Sequence, residues 1–407
     1  MKAGSGLKAL CALGVAGALA VSASTASAQD AGSVPERRAA VFASLIDAPS
    51  DRALMQEYAR LSVEMRDYEA AAATLERLID LEPENAGARL ELATAYYALG
   101  NYPLANYHFD IASASGALTP AQAGAVDAYR AAAAQQDRPS RLSGVIAAGA
   151  VTSEGETGFL GTAQLDWRID LGDANATDWV TEIGISSFVL GAGAGADTND
   201  SQRILLRTGP ELKLAGEAFG PRLQPYVELE AVRYPDASAS DFDAVYLGLA
   251  YQNTYSAEWS SFADASIGRG ERRASGDTMD FLYAVGGLTY RPSREAQFRM
   301  AASYSREEEQ DREEDGHGLR ADYVRAFAAP AALDARNWLA GAFAGIDWFD
   351  ITEAATQRDE TVRSAGLFLR SYLGRDLFIE TRASHLRRDG GTGTEETLVS
   401  MQLGWEF

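Results

Sequence analysis

Ser400-Met401-Gln402-Leu403-Gly404-Trp405-Glu406-Phe407 closes the sequence. In an extended strand successive side chains point to opposite faces. Met401, Leu403, Trp405 and Phe407 therefore share one face, and Ser400, Gln402, Gly404 and Glu406 share the other. The same alternation recurs upstream. Leu165, Trp167, Ile169 and Leu171 alternate with Gln164, Asp166, Arg168 and Asp170, and Val227 and Leu229 with Tyr226, Glu228 and Glu230. Leu377, Ile379, Thr381 and Ala383 alternate with Phe378, Glu380, Arg382 and Ser384. One apolar and one polar face over about ten residues, repeated along a chain, is the pattern of strands that separate lipid from a wet interior.

A soluble sandwich also alternates, and two features separate it from a barrel. Trp167, Tyr234, Trp259, Tyr290, Trp338, Trp348 and Trp405 lie near expected strand ends, where an interfacial girdle would sit. The final strand also ends on an aromatic residue, so Trp405 and Phe407 are the candidate signal for barrel assembly. Fourteen antiparallel strands are expected across 141–407, beginning near 142, 159, 178, 203, 223, 243, 258, 279, 295, 318, 337, 362, 376 and 395. With the N-terminal domain periplasmic, the outer connections are Thr152–Gly158, Gly191–Gln202, Pro235–Asp241, Gly270–Thr278, Arg306–His317, Ile351–Glu360 and Arg387–Thr394. These are acidic or Gly-rich and read as the longer set. Ser256-Ala257, Pro292-Ser293-Arg294 and Gly374-Arg375-Asp376 read as tight inner turns, with Ala215–Arg222 and Ala328–Arg336 as longer exceptions.

Upstream of the polar boundary Gln135–Ser140 the periodicity is helical. Residues 37–136 read as a periplasmic tetratricopeptide (TPR) domain, because self-similarity recurs every 34 residues. One repeat starts at Arg52 and places Tyr58, Ala59, Tyr68, Ala71 and Leu75; the next starts at Ala86 and places Leu92, Ala93, Tyr96, Gly100, Tyr102, Ala105 and Phe109. Small residues at fixed places let paired helices cross closely. Arg37–Ile46 is expected to cover one end, and a helix opening at Thr119-Pro120 to cap the other. A short solenoid binds through the side chains its concave face presents. Gln56, Arg60, Glu64, Thr94 and Tyr97 are the candidate client-binding residues. The fold class is thus α+β multidomain: a TPR α-solenoid followed by a fourteen-stranded transmembrane β-barrel.

The first residues bound the compartment. Lys2 and Lys8 precede the apolar stretch Ala9–Val21, and Ala26-Ser27-Ala28 is a cleavage pattern, so 1–28 reads as a signal peptide with Gln29 next. The single cysteine, Cys11, lies inside it, and disulfides and thiolate metal sites are not expected beyond it. No later stretch supplies the ~20 apolar residues of a membrane helix. A formal charge of −22 disfavours nucleic acid as a partner.

No catalytic constellation is legible, so the chain is not read as an enzyme and no cofactor or metal is expected. His108, His317 and His385 show no ligand spacing to one another and read as surface residues. The acidic run Arg306–Asp315 reads as a solvated outer loop, bridged to lipopolysaccharide by divalent cations. Gly184, Gly248, Gly286-Gly287 and Gly345 lie inside strands and read as bends or close approaches. Arg168, Arg299, Arg320, Arg370 and Arg382, with Asp166, Glu228, Glu230, Asp264 and Glu380, are assigned to a hydrated lumen of mixed charge.

A signal peptide, a small TPR domain and a fourteen-strand barrel ending Gly404-Trp405-Glu406-Phe407 together resemble the surface lipoprotein assembly modulator (Slam) family. These are the outer-membrane translocons of type XI secretion. The resemblance implies export of a client protein, lipoprotein or soluble, with the periplasmic TPR domain engaging client or chaperone. It also implies the barrel-assembly machinery, outer-membrane lipid and lipopolysaccharide as partners. Two other readings fit the same architecture: an exopolysaccharide-export channel, and a general porin with an accessory TPR domain.

Overall fold

The computed structural model describes residues 33–136, 138–172, 177–190, 200–214, 220–256, 258–333, 335–354, 356–390 and 393–407. Residues 1–28, expected to be a signal peptide, and most of Gly191–Gln202 lie outside the described residues. The chain divides into a helical unit and a barrel.

The helical unit comprises α1 (Val34–Asp47), α2 (Arg52–Glu64), α3 (Tyr68–Leu81), α4 (Ala86–Ala98), α5 (Tyr102–Ala114) and α6 (Pro120–Gln136). Starts at 34, 68 and 102 differ by 34, as do starts at 52, 86 and 120. The repeat is written most plainly in its caps. Asp51, Asp67, Asn85 and Asn101 each accept the backbone N–H three residues on, at 3.1, 3.1, 2.9 and 3.3 Å. Thr119 does the same for Gln122, whose side chain accepts the Thr119 N–H in return. Glu36 reaches back to the Ser33 N–H at 2.8 Å. Each cap satisfies a donor the helix cannot, contributing about 1 kcal/mol. By this register α1 is the second helix of an incomplete repeat and α6 the first helix of another, so the solenoid extends half a repeat beyond each end of the two full ones.

Packing follows the repeat. Ala59, Ala93, Ala71 and Ala105 are buried where helices cross, with Leu75 and Phe109 fully buried beside them. Val126 of α6, 34 residues after Leu92, is buried in the second cluster. Gly100 and Arg66 occupy equivalent turns between paired helices, both at positive φ (76° and 60°). The first repeat therefore tolerates in an arginine what the second gives to glycine. Among the described residues no helix is long and apolar enough to cross a membrane.

The barrel strands are β1 (Ser140–Ser153), β2 (Glu156–Asp170), β3 (Asp178–Leu190), β4 (Ser201–Lys213), β5 (Arg222–Arg233), β6 (Phe242–Thr254), β7 (Trp259–Arg272), β8 (Thr278–Tyr290), β9 (Ala296–Glu309), β10 (Arg312–Phe327), β11 (Trp338–Glu353), β12 (Thr356–Tyr372), β13 (Leu377–Asp389) and β14 (Thr394–Glu406). All fourteen close into one barrel in chain order. The seam pairs β1 with β14 antiparallel, from Val145↔Glu406 to Ser153↔Leu398. The outer wall carries the apolar half of each alternation: Leu247, Ile267, Leu367 and Met401 are each about 60% exposed. A contiguous exposed aliphatic wall of this kind is stable only against lipid.

The height of that wall can be read along β11. Trp338 and Trp348, ten residues apart, span about 33 Å of strand, or about 25 Å along the membrane normal at the usual tilt. Trp167, Trp259 and Trp405 stand exposed at the same barrel end as Trp338. Tyr290 stacks on Trp259 at 4.6 Å there. Tyr234, expected in a girdle and placed at the opposite barrel end, is instead turned inward and buried with Phe242 and Met279, because it continues the inward parity of β5.

The expected contrast between long outer loops and short inner turns does not hold. Thr152–Gly158, Arg306–His317 and Ile351–Glu360 are each spanned by strands joined through two residues, 154–155, 310–311 and 354–355. Glu154 and Gly155, at φ 48° and 92°, give the turn hand that matches strand twist. β10 and β12 accordingly begin six residues before the expected 318 and 362. A charged run can remain in a ladder when both faces meet water, and here Arg306 staples it to Glu313 at 2.6 Å, as Arg269 and Asp280 staple the neighbouring β7–β8 hairpin at 2.7 Å. The strands thus run past the lipid zone at this end as charged hairpins. The connections 214–221 and 328–337 at the opposite end are longer than these turns.

Candidate functional site: the charged lumen and the helical face

All ten charged residues assigned to the lumen lie on inward positions, and the structure adds others. Arg207 of β4 holds Glu228 and Asp264 at 2.8 Å each, and Tyr226 donates to the second Asp264 oxygen at 2.6 Å. Arg203 pairs with Glu230 at 2.6 Å, and Tyr246 donates to that carboxylate at 2.8 Å. Arg168 and Arg222 share Glu211. Across β12–β14, Arg370 bridges Glu380 and Glu406 at 2.8 and 2.7 Å, Arg382 also reaches Glu380, and Tyr372 donates to Glu406. Arg203 and Arg207 escape a reading of the sequence because the doublet Leu205-Leu206 between them blurs the alternation of β4.

Aromatic rings line the same face without filling it. Tyr226 lies opposite Gly248, Tyr246 opposite Gly268, Phe343 opposite Gly366 and Phe378 opposite Gly404. A Cβ at Gly248 or Gly404 would come within 2.1–2.2 Å of the facing ring, so each ring lies flat against the wall where its partner has no side chain. Gly248 is a close approach, as expected, whereas a Cβ at Gly286 would make only ordinary contacts, 3.7 Å from the Phe262 carbonyl. Inward-facing Thr162, Gln164 and Arg299 are exposed, and a cavity of about 560 Å³ opens among β3–β11. Part of the inward face is thus open to solvent.

Breaking one node of this lattice tests its weight. Arg207→Ala leaves Glu228 and Asp264 mostly buried without their cation, a change that costs about 3 kcal/mol. The urea midpoint of the detergent-folded barrel should fall accordingly, and a midpoint within error of wild type would show that water alone satisfies both acids.

The helical candidates are less free than expected. Gln56, Arg60 and Glu64 form one exposed stripe on α2, but Arg60 is clamped between Glu57 and Glu64 at 2.6 and 2.7 Å, and Glu64 also meets Arg37 at 3.5 Å. The hydrogen bonds from Arg60 hold the Glu57 carboxyl below its ordinary range. Thr94 returns its hydroxyl to the Leu90 carbonyl at 2.9 Å. Tyr97 sits edge-on between Tyr102 and Tyr129, 5.5 and 5.3 Å away, and belongs to the α4–α6 packing. Glu91 of α4, unread in the sequence, is hydrogen-bonded to Gln56, and burial pushes its carboxyl up against that bond. His108, expected at the surface, is buried and stacked on Tyr96, with burial lowering its pKa. His317 and His385 face outward on the barrel wall, beside Tyr304 and Thr397. Among the described residues no group of acids and histidines is arranged to hold a metal.

The tetratricopeptide repeat family model matches residues 46–106. Over the barrel the chain is similar to the outer membrane channel DcaP of Acinetobacter baumannii, at 11% identity and a TM-score of 0.39, covering 66% of this chain and 97% of that one. It is similar to OmpT of Vibrio cholerae at 9% identity, covering 66% and 99%, with a TM-score of 0.37. Over the helices it is similar to the TPR2B domain of yeast Sti1, at 24% identity over 25% of this chain and 84% of that one, with a TM-score of 0.24. No curated protein matches the chain. The chain joins a tetratricopeptide-repeat domain to a transmembrane β-barrel of outer-membrane type.

Proposed function

We propose that the protein is an outer-membrane translocon that brings a client protein to the cell surface, its TPR domain receiving the client or its chaperone on the periplasmic side. The observation that carries this reading is the fusion itself: a repeat solenoid, a fold built to hold peptide, in one chain with a hydrated barrel. The resemblance to the Slam family points the same way. The charged hairpins of β9–β10 and β11–β12 face the exterior in this reading, where lipopolysaccharide and its cations would meet them.

The experiment is a comparison of surface proteins shaved by protease from intact cells with and without the gene. One or a few proteins should lose accessibility while persisting in the cell. An unchanged surface set would favour the second reading, a solute channel, whose support is the mixed-charge wall of the lumen.

A further inference from the structure

We infer that Arg299 and Phe262 form a binding site in the lumen for a small carboxylate-bearing solute. The inference rests on the lumen being a hydrated path, and does not depend on whether a protein client also uses it.

Guanidinium groups stacked on aromatic rings recur through the described residues, and all but one also hold an acid. Arg38 lies over Tyr58 and bonds Asp67. Arg207 lies over Tyr226 and bonds Asp264; Arg320 over Phe343 bonds Asp322. Arg336, Arg370 and Arg382 follow the same rule with Glu406 and Glu380. Stacking covers the face of a guanidinium and leaves its rim of N–H donors in a plane, which suits a carboxylate bound edge-on through two hydrogen bonds.

Arg299 has the ring and lacks the acid. Its guanidinium carbon lies 4.1 Å from the centre of the Phe262 ring, among the tightest of these stacks, yet no carboxylate lies within ion-pair distance among the described residues. It lines the 560 Å³ cavity together with the hydroxyl residues Tyr283 and Ser303. Asp322, opposite Arg299 in the β9–β10 register, gives one oxygen to Arg320 at 2.9 Å and makes no ion pair with Arg299, and both Asp264 oxygens are held by Arg207 and Tyr226. Asp347 lies two strands away, against Gly318. A stacked, exposed guanidinium with no acid in ion-pair contact is what an incoming carboxylate needs.

The test is titration calorimetry of detergent-folded protein with citrate at low salt, paired with citrate block of current in planar bilayers. Inorganic phosphate serves as the comparison anion, and heat-modifiability confirms folding. Citrate should bind wild type more tightly than phosphate, and Arg299→Gln should weaken it about tenfold or more. Arg299→Lys should restore only part, since it keeps the charge and loses the planar donors. Phe262→Leu should weaken binding several-fold, and Arg387→Gln on an outer hairpin should leave it unchanged. No citrate binding by wild type, equal binding by Arg299→Gln, full rescue by lysine, or phosphate binding as tight as citrate would each overturn the site. Citrate binding lost in Arg299→Gln without any ionic current would uphold the site and refute the open path. Current without citrate binding would do the reverse.

Discussion

Changing Phe407 to Asp, or ending the chain at Glu406, should nearly abolish folded barrel in the outer membrane. The effect should show as loss of the heat-modifiable band while total protein in the periplasm rises or is degraded. The structure gives three reasons. Phe407 exchanges both backbone hydrogen bonds with Gly144, at 3.0 and 2.9 Å, and so forms the last rung of the β14–β1 closure. Its ring stacks on Trp405 at 4.5 Å on the outward face, at the level where the girdle meets the lipid boundary. Glu406, one residue earlier and on the opposite face, carries Arg336, Arg370 and Tyr372, so ending the chain there puts a second carboxylate on the same residue, repelling the first and competing for its cations. Phe407→Tyr keeps ring and ladder and should assemble normally. Wild-type amounts of the Asp variant would show that neither the ring nor its recognition matters to closure.

Much of this architecture is legible in the sequence, and the reasons are physical. A strand between lipid and water has no freedom in which face is apolar, so β13 and β14 declare themselves residue by residue, and all ten assigned lumen charges fall inward. Repeats are legible for a similar reason: caps and small crossing residues must recur every 34 positions for neighbouring helix pairs to stack. What is not legible lies where water is on both sides. Arg306–Asp315 is polar throughout, and nothing in such a run distinguishes a loop from a hairpin whose rungs are ion pairs. Tyr97 and Arg60 mislead for another reason. Helix position gives the direction in which a side chain leaves the backbone, but not whether a neighbour such as Tyr129 or Glu57 has already claimed it. The stack at Arg299 is a relation among β7, β8 and β9, and no local pattern could contain it.

Removing 33–136 while keeping residues 1–32 and the barrel should abolish display of the client proteins found by surface shaving, yet leave the ionic current of the purified barrel unchanged. The helical unit and the barrel each have a hydrophobic cluster of their own. A finer variant asks whether the helical face itself grips the client. Gln56→Ala, Arg60→Ala and Glu64→Ala together strip the exposed α2 stripe. All three are surface positions whose loss costs only tenths of a kcal/mol each, so the helices should stay folded by circular dichroism. Tyr97 is left in place because it packs against Tyr102 and Tyr129, and its removal would confuse binding with folding. Display should fall at least several-fold in this triple variant. Display lost on deletion and retained in the triple variant would move the contact to another surface, with Glu91 and its Gln56 partner already tested by the first substitution. Display retained after the whole deletion, with normal current, would make the solenoid a spacer and leave the solute-channel reading in possession.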